Sequence, residues 1–187
     1  MTEAFNLTNH FLIAMPTLED PNFFHSVTLI CEHNEEGTMG ILINRPLEIR
    51  LSEILEQMGI ENNSEDINQQ CLFLGGPVQN ERGFILHKPH GDGEEMLVVS
   101  DNLALSSSRD MLASIAANEG PEKSLIALGY AGWAAGQLEK ELAENAWIST
   151  PASEQIIFDT PVTERWKSAA ASAGIDLSRL SSDVGHA

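Results

Sequence analysis

The sequence predicts a single α+β domain. Short apolar runs come in blocks punctuated by Gly, Pro and Asn, and helical periodicity is interleaved among them unevenly. At 187 residues the chain fits one domain, taken as 1–187, and is long enough to bury a core.

Phe11 to Met15 is an apolar run closed by Pro16. After Pro21, Val27, Leu29 and Cys31 alternate with Thr28, Ile30 and Glu32, which is the period of a strand. Glu35-Glu36-Gly37 reads as a turn, with Met39 to Asn44 returning as the second strand of a hairpin. Pro46, lacking an amide hydrogen, is expected to stop it. Ser52 is expected to cap a short helix carrying Ile54, Leu55 and Met58 and ended by Gly59. Residues 61–70 are polar and read as an exposed loop.

Cys71 to Leu74 is a strand running into Gly75-Gly76-Pro77. Gly83 to His87 and Met96 to Ser100 are two more, joined by the turn-rich His90-Gly91-Asp92-Gly93. Ser106 to Ser108 offer caps for a helix whose inner face is Met111, Leu112, Ile115 and Ala116. Ser124 to Leu128 is a buried-type strand, and Ala134 to Asn145 is expected to be helical. Thr160-Pro161 opens a last helix with the stripe Val162, Trp166, Ala169, Ala170 and Ala173, and Gly174 ends it.

Charge excludes more than it identifies. Lys and Arg total 10 against 28 Asp and Glu, a net of -18 spread along the chain. Binding to phosphate backbones draws on clustered cations, so the sequence argues against direct nucleic-acid binding. Met1 to Asn6 lacks the basic flank and apolar stretch of a signal peptide. No apolar run reaches the roughly 20 residues of a membrane span. Two cysteines are too few for a disulfide framework. A soluble cytoplasmic protein with reduced thiols and no membrane association is expected.

Many short motifs then point one way: Asn9-His10-Phe11-Leu12-Ile13-Ala14-Met15-Pro16, Ile30-Cys31-Glu32-His33, Asn44-Arg45-Pro46, Leu74-Gly75-Gly76-Pro77, Ser107-Ser108-Arg109-Asp110, Gly129-Tyr130-Ala131 and Gly136-Gln137-Leu138-Glu139. In this order the chain resembles the AlgH/YqgE family of bacterial proteins over nearly its whole length. The resemblance implies one complex α+β domain, in which a bifurcated sheet partly closes into a small barrel with helices around it. It also brings the label of transcriptional regulator, but no accepted reaction. The acidic residues here point to regulation through a protein partner or a small ligand.

Each candidate site has a structural alternative. Cys31 and His33 share strand parity, as a thiolate–imidazole pair or half a metal site would require; a buried structural thiol is the simpler reading. His87-Lys88-Pro89-His90-Gly91-Asp92 reads as a solvated turn. No metal site and no cofactor are expected. Gly75 and Gly76 offer amides to an anion or, more simply, form a tight turn. Tyr130 and Trp133 fall between a strand and a helix, where ligands often bind; the alternative makes them core anchors. One turn on, Gln137 is the residue best placed to share a cleft with Trp133. Asn44 and Arg45 end a strand, and Arg45 offers a guanidinium to a ligand carboxylate or phosphate, or to an acid of the protein itself. Two function classes follow. The first is a non-enzymatic binding or regulatory protein. The second is a hydrolase or transferase with a cleft near Asn44, Arg45, Tyr130 and Gln137.

Overall fold

The computed structural model describes residues 6–18, 20–61, 65–89 and 96–177. Its strands are β1 (His10–Ala14), β2 (Val27–Asn34), β3 (Gly37–Leu42), β4 (Pro46–Arg50), β5 (Cys71–Leu74), β6 (Val78–His87), β7 (Met96–Ser100), β8 (Leu103–Ser106), β9 (Ser124–Ala134) and β10 (Trp147–Pro151). Its helices are α1 (Leu51–Gln57), α2 (Glu65–Asn68), α3 (Arg109–Ala116), α4 (Gln137–Ala143), α5 (Glu154–Phe158) and α6 (Arg165–Ser172).

The strands form one mixed sheet in the order β10-β1-β2-β3-β9-β6-β8-β7, with β4 and β5 as a branch. The long strand β9 is where it forks. One edge of β9 pairs with β6. Along the other edge, Ala127 and Leu128 pair in parallel with β5, and Ala131 to Ala134 pair antiparallel with β3. The sheet then curls until β7 packs against β2, with no ladder between them among the described residues. The result is a half-barrel.

Three apolar clusters hold it. The concave face gathers Phe11, Leu29, Ile41, Phe84, Leu105 and Leu125, closed at one end by Ile156 and Ile157 of α5 and Ala169 and Ala170 of α6. On one convex surface Leu12, Ile30, Leu42, Trp133 and Trp147 pack under Leu138 of α4. On the other, Leu72, Ile85 and Ile126 are covered by Leu51 and Leu55 of α1 and Leu112 and Ile115 of α3. Because both faces are covered, strands such as β2 bury five consecutive residues, Val27 to Cys31.

Several expectations are corrected. Pro46 does not end pairing; it opens β4, at the first position of a strand, where a missing amide hydrogen is tolerated. Ser52 lies inside α1; the cap is Arg50, whose N–H donates to the Glu53 carboxylate at 2.8 Å. Part of the 61–70 loop is helical, as α2, and residues 62–64 lie outside the described residues. The strand β8, buried at all four positions and so without alternation, lies between β6 and β7. The last helix starts at Arg165 rather than Pro161, after a 3-10 turn at Val162–Glu164. The short elements β10 and α5 have no counterpart in the sequence reading. Residues 90–93, the expected turn, lie outside the described residues.

Candidate functional site

Two irregularities shape the open end of the half-barrel. In β2, Ile30 is opposite Gly40 but Glu32 is opposite Met39, so Cys31 is an extra residue, a bulge. Val27, Leu29 and Cys31 face the concave core, and the bulge lets Glu32 line that same side. His33 goes the other way. Its Nδ1 accepts the Leu7 N–H at 2.9 Å, so its Nε2 is the donor to the Glu139 carboxylate of α4. Cys31 and His33 are therefore not side by side.

In β9 the same reversal happens at Gly129, whose φ of +78° strains any residue with a side chain and suits glycine. Leu125 and Ala127 face the concave core and Tyr130 follows them, while Ala131 and Trp133 join the convex cluster. Without the turnover, simple alternation would put Trp133 on the concave side and Tyr130 outside.

Together these bring Glu32 and Tyr130 to a cleft of about 730 Å³ at the barrel mouth. Its apolar floor is Met39, Phe84, Leu97 and Leu105. Tyr130 meets Phe84 edge to face, with centroids 5.8 Å apart. Glu32 and Glu36 stand on the hairpin side, and Arg82 and Ser107 belong to the β6–β8 side. The Arg82 guanidinium lies 5.0 Å from the Phe84 ring centroid and donates to Ser107 Oγ at 3.3 Å.

Of the residues singled out in the sequence, Tyr130 and Trp133 line this cleft. The Trp133 side chain is an anchor: the residue is only 5% exposed, between Phe23 at 5.9 Å and Trp147 at 6.0 Å, and its indole N–H donates to Glu141 at 3.2 Å. Gln137 is exposed and spends its amide locally, accepting from Ala134 N at 3.0 Å and donating to Glu141 at 2.8 Å. Trp133 and Gln137 thus share Glu141, not a pocket wall.

Gly75 and Gly76 are packing glycines. The Gly75 N–H donates to Leu128 O at 2.7 Å, and Leu42 N donates to Gly75 O at 2.8 Å, so the Gly75 amide is not available to an anion. A Cβ on Gly75 would meet Gly129 O at 2.3 Å, and one on Gly76 would meet the Tyr130 carbonyl carbon at 2.0 Å. Both let the end of β5 cross the turnover in β9.

Asn44 and Arg45 lie outside the cleft and brace residues 24–27. Asn44 Oδ1 accepts from Val27 N, and its Nδ2 donates to His25 O, both at 2.9 Å. Arg45 Nη2 donates to Phe24 O at 2.7 Å. His25 sits at φ +54°, and its ring is sandwiched between Phe24 and Trp166 at 3.7 and 3.8 Å. Burial first, and the Arg45 charge second, hold the His25 imidazole below its ordinary pKa. Arg45→Ala should lower stability by about 1 kcal/mol, the value of one hydrogen bond. It should also move the His25 titration upward by NMR; an unmoved titration would show that the guanidinium does not act on the ring.

One nucleophile–base pair escaped the sequence reading, because its members are 19 residues apart. His87 Nδ1 contacts Lys88 O at 2.6 Å, so it carries the proton, and Nε2 accepts from the Ser106 hydroxyl at 2.7 Å. Register places Ser106 opposite Ile85, whose side chain belongs to the convex cluster under α1 and α3. His87 and Ser106 are 0% and 3% exposed, so the pair is enclosed, although Ser106 also belongs to the lining of the mouth cleft.

Among the described residues no three His, Cys, Asp or Glu side chains gather as a metal set. Both cysteines are free. Burial, aided by Glu32, pushes the Cys31 thiol far up, whereas Cys71 is half-buried. In the folded protein iodoacetamide should modify Cys71 well before Cys31, and both should react in urea. Equal native rates by mass spectrometry would contradict the buried placement of Cys31.

Fold and site together define an α+β half-barrel domain with α1, α3 and α4 on its outer faces, α5 and α6 closing one end, and an open, polar-rimmed mouth. Residues 11–178 match the family described as AlgH-like. A UPF0301 protein of Nitrosococcus oceani is 55% identical over 179 residues, 96% of each chain, and one of Thioalkalivibrio sulfidiphilus is 54% identical over the full length of both. The solution structure of the AlgH protein from Pseudomonas aeruginosa superposes with a TM-score of 0.80 at 48% identity, covering 97% of this chain and 96% of that one. A crystal structure from Corynebacterium diphtheriae, 20% identical with a TM-score of 0.72 over 90% of this chain and 87% of that one, shares the fold. The chain belongs to the AlgH-like family.

Proposed function

We propose that the protein is a non-enzymatic, cytoplasmic binding protein with a regulatory role, whose small ligand sits in the mouth of the half-barrel. The observation that carries this reading is the pair of strand reversals that deliver Glu32 and Tyr130 into an apolar-floored cleft of ligand size. The carboxylates at its rim and the net charge of -18 favour signalling through a ligand or a protein partner over direct contact with nucleic acid. Isotope-labelled full-length protein, titrated with mixtures of small metabolites, should show shifts at Met39, Leu97 and Tyr130 and none at Asn44 or Arg45. Shifts confined to other surfaces, or none at all, would refute the site.

The hydrolase alternative draws support from the Ser106–His87 hydrogen bond alone, since Asn44, Arg45, Tyr130 and Gln137 do not form one cleft. An enclosed serine should resist a fluorophosphonate probe. Stoichiometric labelling at Ser106 would reverse the preference.

A further inference from the structure

The mouth carries opposite charges on strands that face each other. In the curl β2-β3-β9-β6-β8-β7, closed by packing of β7 on β2, the strands β2 and β6 are three places apart in either direction. Glu32 is on the first and Arg82 on the second, and Glu36 lies in the hairpin turn after β2. Neither carboxylate is neutralised by Arg82: the ion pairs among the described residues are His33–Glu139 and Lys123–Asp159. Arg82 is instead held by the Phe84 ring and the Ser107 hydroxyl, with further guanidinium donors to spare. Between the two charged sides, Met39, Leu97 and Leu105 alternate with polar Asn34 and Thr38 and with the chain's single Tyr, Tyr130.

We propose that this cleft takes a short apolar peptide, free at both ends, with its ammonium group at Glu32 and Glu36 and its terminal carboxylate at Arg82 and Ser107. The proposal rests on the binding reading above and names the ligand class. An α-amino acid carries both charges on one carbon and would leave most of a cleft of about 730 Å³ unfilled. An extended chain advances about 3.3–3.6 Å per residue, so a di- or tripeptide covers about 7–10 Å. The apolar floor takes the side chains, while Asn34 and the Tyr130 hydroxyl offer polar contacts to peptide groups. A polyanion such as a nucleotide would meet Glu32 and Glu36, and a polycation would meet Arg82.

The test is calorimetric titration of the full chain with the tripeptide Leu-Ala-Leu, its N-acetyl form and its C-terminal amide. The free tripeptide should bind, and each cap should weaken binding about tenfold or more, the loss expected for a charged hydrogen bond. In Arg82→Gln, amidation should no longer matter, and in a Glu32→Gln, Glu36→Gln double variant, acetylation should no longer matter. These side chains are exposed, so both variants should fold. Equal binding of free and capped forms, or no binding of any form, overturns the peptide assignment. If the metabolite titration still shifts Tyr130 in that case, the cleft stands as a ligand site and only the peptide class falls.

Discussion

Gly76→Ala should leave little folded protein. The added methyl would lie 2.0 Å from the carbonyl carbon and 2.1 Å from the carbonyl oxygen of Tyr130, and 2.3 Å from the Ala131 nitrogen. All three are backbone atoms, so no side chain can rotate away. The strands β5 and β9 would have to separate where β9 turns over, which also loosens the β3 and β6 ladders on either side. Overpacking of a core usually costs about 1–3 kcal/mol, and a clash with immovable backbone belongs at or beyond the top of that range. Soluble yield and the circular-dichroism melt measure it. A melt within a few degrees of wild type would show that Gly76 is not wedged against the turnover. Gly59→Ala is a fitting control: a Cβ there meets nothing within 4 Å, so its cost comes from the positive φ alone.

Trp133→Ala should be nearly as damaging, at about 3–5 kcal/mol for a truncated buried Trp. The indole is packed with Phe23 and Trp147, and Glu141 accepts from both indole nitrogens, at 3.2 Å from Trp133 and 3.0 Å from Trp147. Its loss opens a cavity between β9 and α4 and removes one partner of a carboxylate that positions that helix. Trp133→Phe, which keeps one aromatic ring and drops the N–H, should recover part of the loss in urea titration. If Trp133→Ala melts like wild type, the convex cluster does not depend on it.

Much of the domain could be read in advance. The Val27–Leu42 hairpin, the strand at Cys71, the Ser108-capped helix and the alanine face of the last helix all obey local rules of period and capping. What escaped was set by distant partners. The strand β8 is a strand because β6 and β7 flank it, and β10 because β1 needs a neighbour. The site was half legible. Tyr130 and Trp133 stood out as aromatics among glycines, but which of them faces the cleft depends on the φ of Gly129, and a run of letters does not state a φ. Asn44 and Arg45 stood out for good reason too, yet their partners are main-chain atoms of residues 24–27, where sequence offers no complementary side chain to notice. Glu32, Glu36 and Arg82 were not singled out as site candidates among 28 acids and 10 bases, because only the curl of the sheet sets them across a common space.

The pairing of β1 with β10 has a consequence for how the chain is made. Residues His10–Ala14 are sandwiched between β2 and a strand that begins at Trp147, and Ala14 O is reached again by the Trp166 indole. A ribosome releases β1 long before its second neighbour, β10. For most of synthesis the nascent polypeptide therefore carries a hydrophobic strand with one bare edge, the kind of edge that recruits other chains. Closure over such sequence separations is slow, so folding should complete after release rather than during elongation. Stalled chains that end before Trp147 should be protease-sensitive at β1, and chains that reach past Trp166 should be resistant; early protection would show that β2 and β3 alone suffice. Within this molecule β1 waits on β10 and on Trp166, and a truncating lesion before Trp147 would leave it bare.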